Sequence, residues 1–262
     1  MFKLLEIELR KLVPYRFFWL SVIAYALLMP ALFVSLHNLN ITIRTFTLNL
    51  NFYNFPDVWH NSVYIAKWFN FLLYVFVLQV VTNEYQFRTI RQNIIDGLSP
   101  WQYLTGKVLL LVLFALCSTL LVGALGLYAG MFLSENHDTA HMWEKTEYLG
   151  LYFAQLLGYL SMALMIGTLV RKSGMAVLAF TGYILVVEAV LRYAPFMSSF
   201  QPKVWGPYLP SQVLGTLIPN PLPAYFGIGQ PAVVDPNMIG ISVAYTLAFV
   251  LVSGMLIARK DL

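Results

Sequence analysis

The stretch VLLLVLFALCSTLLVGALGLYAGMFL, residues 108–133, carries no charged side chain from its first residue to its last. A helix needs about 20 mostly apolar residues to cross the hydrocarbon core of a bilayer, which is about 30 Å thick. In lipid, only a helix or a closed barrel satisfies every backbone hydrogen bond within the protein. The length and composition of this run therefore predict a transmembrane α-helix.

Further apolar runs of comparable length raise the prediction to six transmembrane helices. Of the 262 residues, 59% are hydrophobic and 11% are charged, whereas a soluble domain carries about 25% charged residues. The runs are long and lack the alternation typical of a membrane β-barrel. We therefore expect an all-α polytopic membrane protein with one domain, residues 1–262. The other five runs are residues 17–36, 63–82, 148–170, 175–191 and 237–258.

The distribution of Lys and Arg predicts the orientation, because loops on the cytoplasmic side carry an excess of basic residues. If the N-terminus lies in the cytoplasm, eleven of the 16 basic residues fall on that side and five on the other. Six spans then return the C-terminus to the cytoplasm. The formal charge of +4 thus reports on topology, and we expect no nucleic-acid partner. The cytoplasmic set is Lys3, Arg10, Lys11, Arg16, Arg88, Arg91, Lys107, Arg171, Lys172, Arg259 and Lys260.

The first residues predict an amphipathic helix on the inner membrane surface. Apolar side chains recur at spacings of three and four, and polar side chains occupy another face. The alternative is a positively charged start to the first span. The apolar positions are Phe2, Leu5, Leu9 and Leu12, and the polar ones are Lys3, Glu6 and Arg10.

Residues 192–236 combine nine of the chain's 13 prolines with an apolar composition. Proline at this density prevents a regular helix. Irregular backbone at membrane depth is stable only where it is buried in protein. We therefore expect a broken re-entrant segment between spans five and six.

The segment NEYQFRTIRQNIIDGLSPWQYLTGK, residues 83–107, carries charges that the spans lack. Gly106 and Lys107 resemble the end of a Walker phosphate-binding loop. That loop also requires glycine at position 101 and Ser or Thr at 108, where this chain has Trp101 and Val108. The segment is therefore not expected to bind ATP.

Helix-capping residues divide this segment in two. Asn83 is a candidate N-cap for a short helix over residues 84–96, and Gly97 suits the position just past its end. Ser99 and Gln102 then form a capping box, with Pro100 at the first helical position. We expect the chain to turn sharply here and to return to the membrane.

The short helix would carry an apolar stripe beside a charged face. Phe87, Ile90 and Ile94 form the stripe, and we expect Glu84 to pair with Arg88 at a spacing of four. Arg91 and Gln92 follow one turn later. Such a surface suits docking by a cytoplasmic partner, and the alternative is a solvated connector without one.

From residue 84 to residue 107 the pattern E-Y-x-x-x-T-I-R-Q-x-I-I-x-G-L-S-x-x-x-Y-L-x-G-K resembles the segment after the second span in permeases of type-2 ATP-binding-cassette (ABC) transporters. The layout of interfacial helix, six spans and broken outer segment is also similar. Arg88 stands where many relatives have glycine, and Pro100 where many have arginine. The matching positions are Glu84, Thr89, Gly97, Ser99 and Lys107.

The resemblance implies an exporter subunit in the cytoplasmic membrane of a bacterium. ATP and Mg²⁺ would bind a separate ABC ATPase, so this chain would carry no catalytic residue, cofactor or metal. It would form the translocation path with a second permease subunit, identical or related. Residues 84–96 would be the coupling helix that docks into the ATPase. The implied docking residues are Glu84, Phe87, Arg88, Thr89, Ile90, Arg91, Gln92 and Ile94, and the turn residues are Gly97, Ser99, Pro100 and Lys107.

A secondary transporter or channel not driven by ATP is the alternative. Such proteins normally carry ionisable residues at the membrane midplane. Here Glu188 is the acid well inside a predicted span, and we expect it to pair with Arg192 four residues later. An intramembrane enzyme would need a catalytic pair or metal cluster within the spans, which the sequence does not indicate. His137 and His141 have the spacing of helical metal ligands, but we expect a solvated polar loop there.

Overall fold

The computed structural model describes most of the chain, and nearly all of that part is helical. The exception within it is a short antiparallel hairpin, in which β1 (Ile41–Ile43) pairs with β2 (Phe46–Leu48) in the register Thr42 to Thr47. The described residues are 2–35, 41–43, 46–48, 52–95, 97–134, 141–193, 205–225 and 233–259.

The described residues contain eleven α-helices. A π-helical stretch, Tyr183–Val187, joins α7 to α8, and a 3₁₀ turn, Gly206–Tyr208, precedes α9. In chain order the helices are α1 (Phe2–Leu12), α2 (Arg16–Ser35), α3 (Val58–Gln86), α4 (Thr89–Ile95), α5 (Pro100–Phe132), α6 (Glu147–Val170), α7 (Ser173–Gly182), α8 (Glu188–Tyr193), α9 (Pro210–Thr216), α10 (Leu222–Tyr225) and α11 (Pro236–Arg259).

Six of these helical units are long and apolar enough to cross a membrane. They are α2, α3, α5, α6, α11 and the unit Ser173–Leu191, which runs from α7 into α8 and is called span five below. Each coincides with one of the predicted apolar runs, so the prediction of six spans is confirmed. Helices α3 and α5 extend by a turn or more beyond the runs.

Helix α6 occupies the centre of the bundle. It packs against α3, α5, α7 and α11. In the most apolar stretch of α6, 61% of the residues are buried. The corresponding fraction is 17% in span five and 22% in α2. The latter two therefore lie at the periphery of the bundle.

Four buried polar side chains tie four spans together. The hydroxyl of Tyr25 in α2 lies 2.6 Å from Ser118 Oγ in α5, which lies 2.7 Å from the hydroxyl of Tyr152 in α6. Tyr152 donates to Asn70 Oδ1 in α3 at 2.7 Å. Since an unsatisfied polar group in an apolar interior costs several kcal/mol, this network fixes the relative positions of the four helices. The sequence analysis did not predict it.

The proline-rich segment packs against the spans in its described part, residues 205–225. Helix α9 lies against α6 and α11. Proline occupies the first position of α9, where the missing N–H removes no intrahelical bond. Four apolar side chains of the segment have no exposed surface, namely Val213, Leu214, Leu217 and Ile218.

Side chains from the spans satisfy the backbone of this segment. Gln155 Nε2 donates to the carbonyl of Leu214 at 2.8 Å, and Lys67 Nζ donates to the carbonyl of Ile218 at 3.0 Å. At the other end, the backbone N–H of Ser211 donates to Glu188 Oε1 at 2.9 Å, and its hydroxyl donates to the second oxygen. Backbone N–H and C=O groups at helix ends lack intrahelical hydrogen bonds, so they need such partners when they are buried. Glu188 thus holds α9, while the side chain of its predicted partner, Arg192, is outside the part of the chain that is described.

Candidate functional site

The turn that follows α3 differs from the prediction in where its helix begins. Helix α3 continues through Gln86, and the short helix starts at Thr89 rather than at residue 84. Arg88 separates the two because its φ of 57° lies in the left-handed region. Glycine adopts this region without strain, whereas arginine rarely does. Asn83 lies inside α3, and its amide donates to the hydroxyl of Tyr15 at 2.6 Å rather than capping a helix.

The capping box predicted at the start of α5 is present. The backbone N–H of Gln102 donates to Ser99 Oγ at 3.2 Å, and Gln102 Oε1 accepts from the N–H of Ser99 at 2.9 Å. Pro100 occupies the first turn. Gly97 has a φ of 98°, which favours glycine, so the chain reverses direction between α4 and α5 as expected.

A buried lysine lies at the centre of the site. Lys107 is 2% exposed, and its Nζ lies 2.5 Å from Glu8 Oε2 in α1 and 2.8 Å from Glu84 Oε2 in α3. The hydroxyl of Tyr103 donates to the same carboxylate of Glu84. Lys11 approaches the other oxygens of the two acids, at 3.0 Å for Glu8 and 3.5 Å for Glu84. We call these five residues the ion cluster.

The ion cluster is electrically balanced, with two carboxylates facing two ammonium groups. Buried charges are stable when they are paired and hydrogen-bonded, and removal of one partner leaves an uncompensated charge. The cluster therefore joins α1, α3 and α5 at the end of the bundle from which α4 projects. It also explains the start of α4, since the ion pairs of Glu84 keep that residue within α3.

Helix α1 is amphipathic, as predicted, and it packs against the bundle through its apolar side. Leu12 is 4% exposed, and Leu5 and Leu9 pack partly buried against the core. The side chain of Phe2 is not among those described. The sequence analysis missed Glu8, whose position three residues after Leu5 and four before Leu12 places an acid on the apolar side of the helix.

The predicted docking residues separate into exposed and buried groups. Phe87 is 73% exposed, and Arg88 and Gln92 are also exposed. Ile90 is 2% exposed and belongs to the core of its own chain. The side chains of Arg91 and Ile94 lie outside the described part. Ile95, which was not predicted as a docking residue, is 74% exposed.

Glu84 does not form the predicted pair with Arg88 among the described residues. Its carboxylate, 8% exposed, is bound by the ion cluster instead. Thr89 is partly buried, and its hydroxyl donates to the Glu84 carbonyl at 3.2 Å. These two residues therefore shape the turn, whereas Phe87, Arg88, Gln92 and Ile95 form an exposed surface. We call these four the α4 surface.

A cavity of about 300 Å³ adjoins the α4 surface. It lies between α1 and the turn after α3, and Lys11, Glu84 and Phe87 are among its lining residues. Its lining combines charged, polar and apolar side chains.

Within the described residues, no three His, Cys, Asp or Glu side chains are close enough to share a metal ion. His137 lies outside that part. His141 lies inside it, and its Nδ1 is 2.6 Å from Glu144 Oε1. The site thus combines buried ion pairs, a tight turn and exposed apolar side chains.

No protein-family model matches this chain, and no curated protein matches it significantly. The resemblance to the permeases of type-2 ABC transporters is therefore one of residues 84–107 and of the predicted layout alone. Each of the resembling positions has a structural role in the turn. Glu84 and Lys107 form an ion pair, Thr89 bonds to the end of α3, Gly97 has a positive φ and Ser99 caps α5.

Proposed function

We propose that this chain is the transmembrane subunit of an ATP-driven ABC exporter. It forms the translocation path with a second permease subunit, and a separate cytoplasmic ATPase that binds ATP and Mg²⁺ drives it. The observation that carries the proposal is the α4 surface, which exposes Phe87 just before α4 and Ile95 at its end, in the connection between two spans.

The connections of α4 suit the transmission of force. Two residues link α4 to α3, and the capping box fixes the start of α5. Lys107 then joins α5 to α3 through Glu84, and to α1 through Glu8. Because the three helices are joined by buried charges, a displacement of α4 moves their ends together. A flexible loop would absorb the same displacement.

The α4 surface has the chemistry of a protein-docking site. Complete burial of a large apolar side chain such as Phe87 contributes about 1.5–3 kcal/mol. An exposed cation such as Arg88 sets the orientation and the rate of association more than the affinity. Glu84 and Ile90 act from within the chain, where they support the helix that carries this surface.

Orientation follows from the basic residues. We infer that α4 and both termini lie in the cytoplasm and that α1 lies on the inner membrane surface. Residues 192–236 then form a re-entrant segment on the outer side. The chain is a multi-pass protein of the cytoplasmic membrane of a bacterium.

The test is affinity purification of the chain together with an ABC ATPase encoded beside it, followed by assays of ATP turnover and transport. Phe87→Ala and Ile95→Ala are the test variants. Trp143→Ala is the matched control, because Trp143 is 70% exposed and lies near the start of α6, away from α4. We expect about tenfold or more weaker retention of the ATPase in each test variant.

Wild-type retention and ATP-dependent transport in both test variants would contradict docking at the α4 surface. Transport sustained by an ion gradient without any ATPase would favour a secondary transporter or channel instead. Ile90→Asp is unsuitable for this experiment, because a charge at a core position unfolds the turn whether or not a partner binds.

A further inference from the structure

A second cavity, of about 270 Å³, opens on the side of the bundle. Its walls come from α3, α6, span five and the end of α9. Trp68 and Leu185 line it and are 69% and 66% exposed on spans predicted to face lipid. Its volume is well above the roughly 30 Å³ that one water molecule occupies in the liquid, so the cavity has room for a larger group.

Among the polar side chains that line this cavity are Lys67 of α3, Gln155 of α6 and Thr181 of span five. Counting from the ends of their helices at 1.5 Å per residue, they lie about 12–15 Å from the end opposite α4. They are therefore at a similar depth, below the surface and above the middle of a bilayer. Polar side chains at such depth are costly and commonly mark ligand sites.

Two of these side chains carry a buried polar atom that has no hydrogen-bond partner among the described residues. Gln155 is 2% exposed, and while its Nε2 donates to Leu214, its Oε1 has no partner. The buried hydroxyl of Thr181 also has none. Unsatisfied polar atoms in an apolar environment cost free energy, which a ligand with matching groups would recover.

Lys67 brings a positive charge to the same cavity. One of the three N–H groups of its ammonium donates to the Ile218 carbonyl, and its Nζ lies 4.0 Å from the centre of the Tyr64 ring. Within the described part of the chain, no carboxylate lies within ion-pair distance of it. The bond to Ile218 explains how Lys67 supports the segment after α9, but it leaves the charge without a counterion.

We propose that this cavity binds the headgroup of an anionic membrane lipid. The phosphate would accept from Lys67 and from the Thr181 hydroxyl, and a hydroxyl or amine of the headgroup would donate to Gln155 Oε1. The acyl chains would lie along the exposed surface beside Trp68 and Leu185. A free phosphate ester shares the headgroup chemistry, but the opening between lipid-facing side chains favours the lipid.

The experiment is native mass spectrometry of the purified chain in mild detergent, without any ATPase, so its outcome is independent of the proposed coupling. Phosphatidylglycerol carries a phosphate and hydroxyl donors, whereas phosphatidylcholine has a compensating positive charge and no donor. We expect retention of phosphatidylglycerol over phosphatidylcholine, and about a tenfold or greater loss of that retention in Lys67→Met. Lys67→Arg should retain binding, and so should the control Lys145→Met, which removes a surface cation outside the cavity.

Thr181→Val preserves side-chain shape, so it tests the site even if Lys67→Met does not fold. It should weaken retention of phosphatidylglycerol several-fold without changing that of phosphatidylcholine. A phosphatidylglycerol with a photoreactive acyl chain should crosslink to peptides that contain Trp68 or Leu185. Equal retention of both lipids, wild-type retention in Lys67→Met and Thr181→Val, or displacement of the lipid by inorganic phosphate would each overturn the proposal.

Discussion

Replacing Lys107 by methionine isolates the contribution of the ion cluster. Methionine keeps most of the length and the apolar part of the side chain but removes the ammonium group. Glu8 and Glu84 would then face each other with Lys11 as their remaining cation, at 3.0 and 3.5 Å. Neither acid could reach solvent easily, since both are less than 9% exposed.

The expected loss of stability in Lys107→Met follows from this burial. Removing one member of a buried, hydrogen-bonded ion pair typically costs about 3–5 kcal/mol, because the remaining charge is left uncompensated. Lys107 serves two carboxylates, so we expect its loss to reach the upper part of that range. Neutralising both acids as well, in Glu8→Gln with Glu84→Gln, should recover much of the loss, because the one charge that remains, on Lys11, belongs to a side chain that is 29% exposed and can be solvated.

The assay is the fraction of detergent-solubilised protein that stays monodisperse after heating, measured by size-exclusion chromatography. Lys172→Met is the matched control, because Lys172 is an exposed lysine in the connection between α6 and α7. Lys107→Met should lose monodispersity at a markedly lower temperature than this control, and the triple variant should lie between them. If Lys107→Met and Lys172→Met behave alike, the ion cluster does not hold the three helices together.

Three further predictions concern other parts of the fold. Ser99→Ala should reduce stability by about 1 kcal/mol, and Ser99→Asp should retain it, because aspartate also caps helices; thermal unfolding of the two variants checks this. Tyr152→Phe should cost about 1–3 kcal/mol in the same assay, because Asn70 would lose its donor from that hydroxyl. Gly158→Ala should cost about 1–3 kcal/mol, because a Cβ there would lie 2.4 Å from a methyl group of α9, whereas Gly150→Ala, with nothing within 4 Å, should be tolerated.

The spans and the capping box could be predicted because each depends on residues that are close in sequence. The apolar run 108–133 fixes a helix by its own length, and Ser99 and Gln102 are three positions apart. The start of α4 could not be predicted in the same way. Whether Glu84 ends one helix or begins the next depends on Lys107 and Lys11, which approach it only in the folded chain.

The ion cluster itself depends on long-range contacts. Glu8 and Lys107 are 99 residues apart, and spacing carries no information about a pair of that kind. The same limit applies to Glu188, for which a partner four residues away was expected. The structure instead places Ser211, 23 residues further along, on its carboxylate. An acid on an apolar helix face is a local signal that such a partner exists, but it does not identify the partner.

The exposed surface of α4 was predicted in part, since Phe87, Arg88 and Gln92 were among the expected docking residues. Ile90 was assigned to the same surface because a stripe of apolar residues does not reveal which of them the protein buries in its own core. Ile95 was missed because the sequence predicted an unbroken helix from residue 84, whereas α4 begins at Thr89. The break at Arg88 changes which residues after it share a face with Phe87.

The most direct test of the proposed function is photocrosslinking from the α4 surface in living cells. A photoreactive amino acid would replace Gln92 or Ile95, and Trp143 would serve as the control position at the other end of the bundle. Adducts would be identified by mass spectrometry. The proposal predicts a crosslink from positions 92 and 95 to a cytoplasmic ABC ATPase and none to that protein from position 143. Adducts at 92 and 95 with lipid alone, or with proteins outside the cytoplasm, would contradict it.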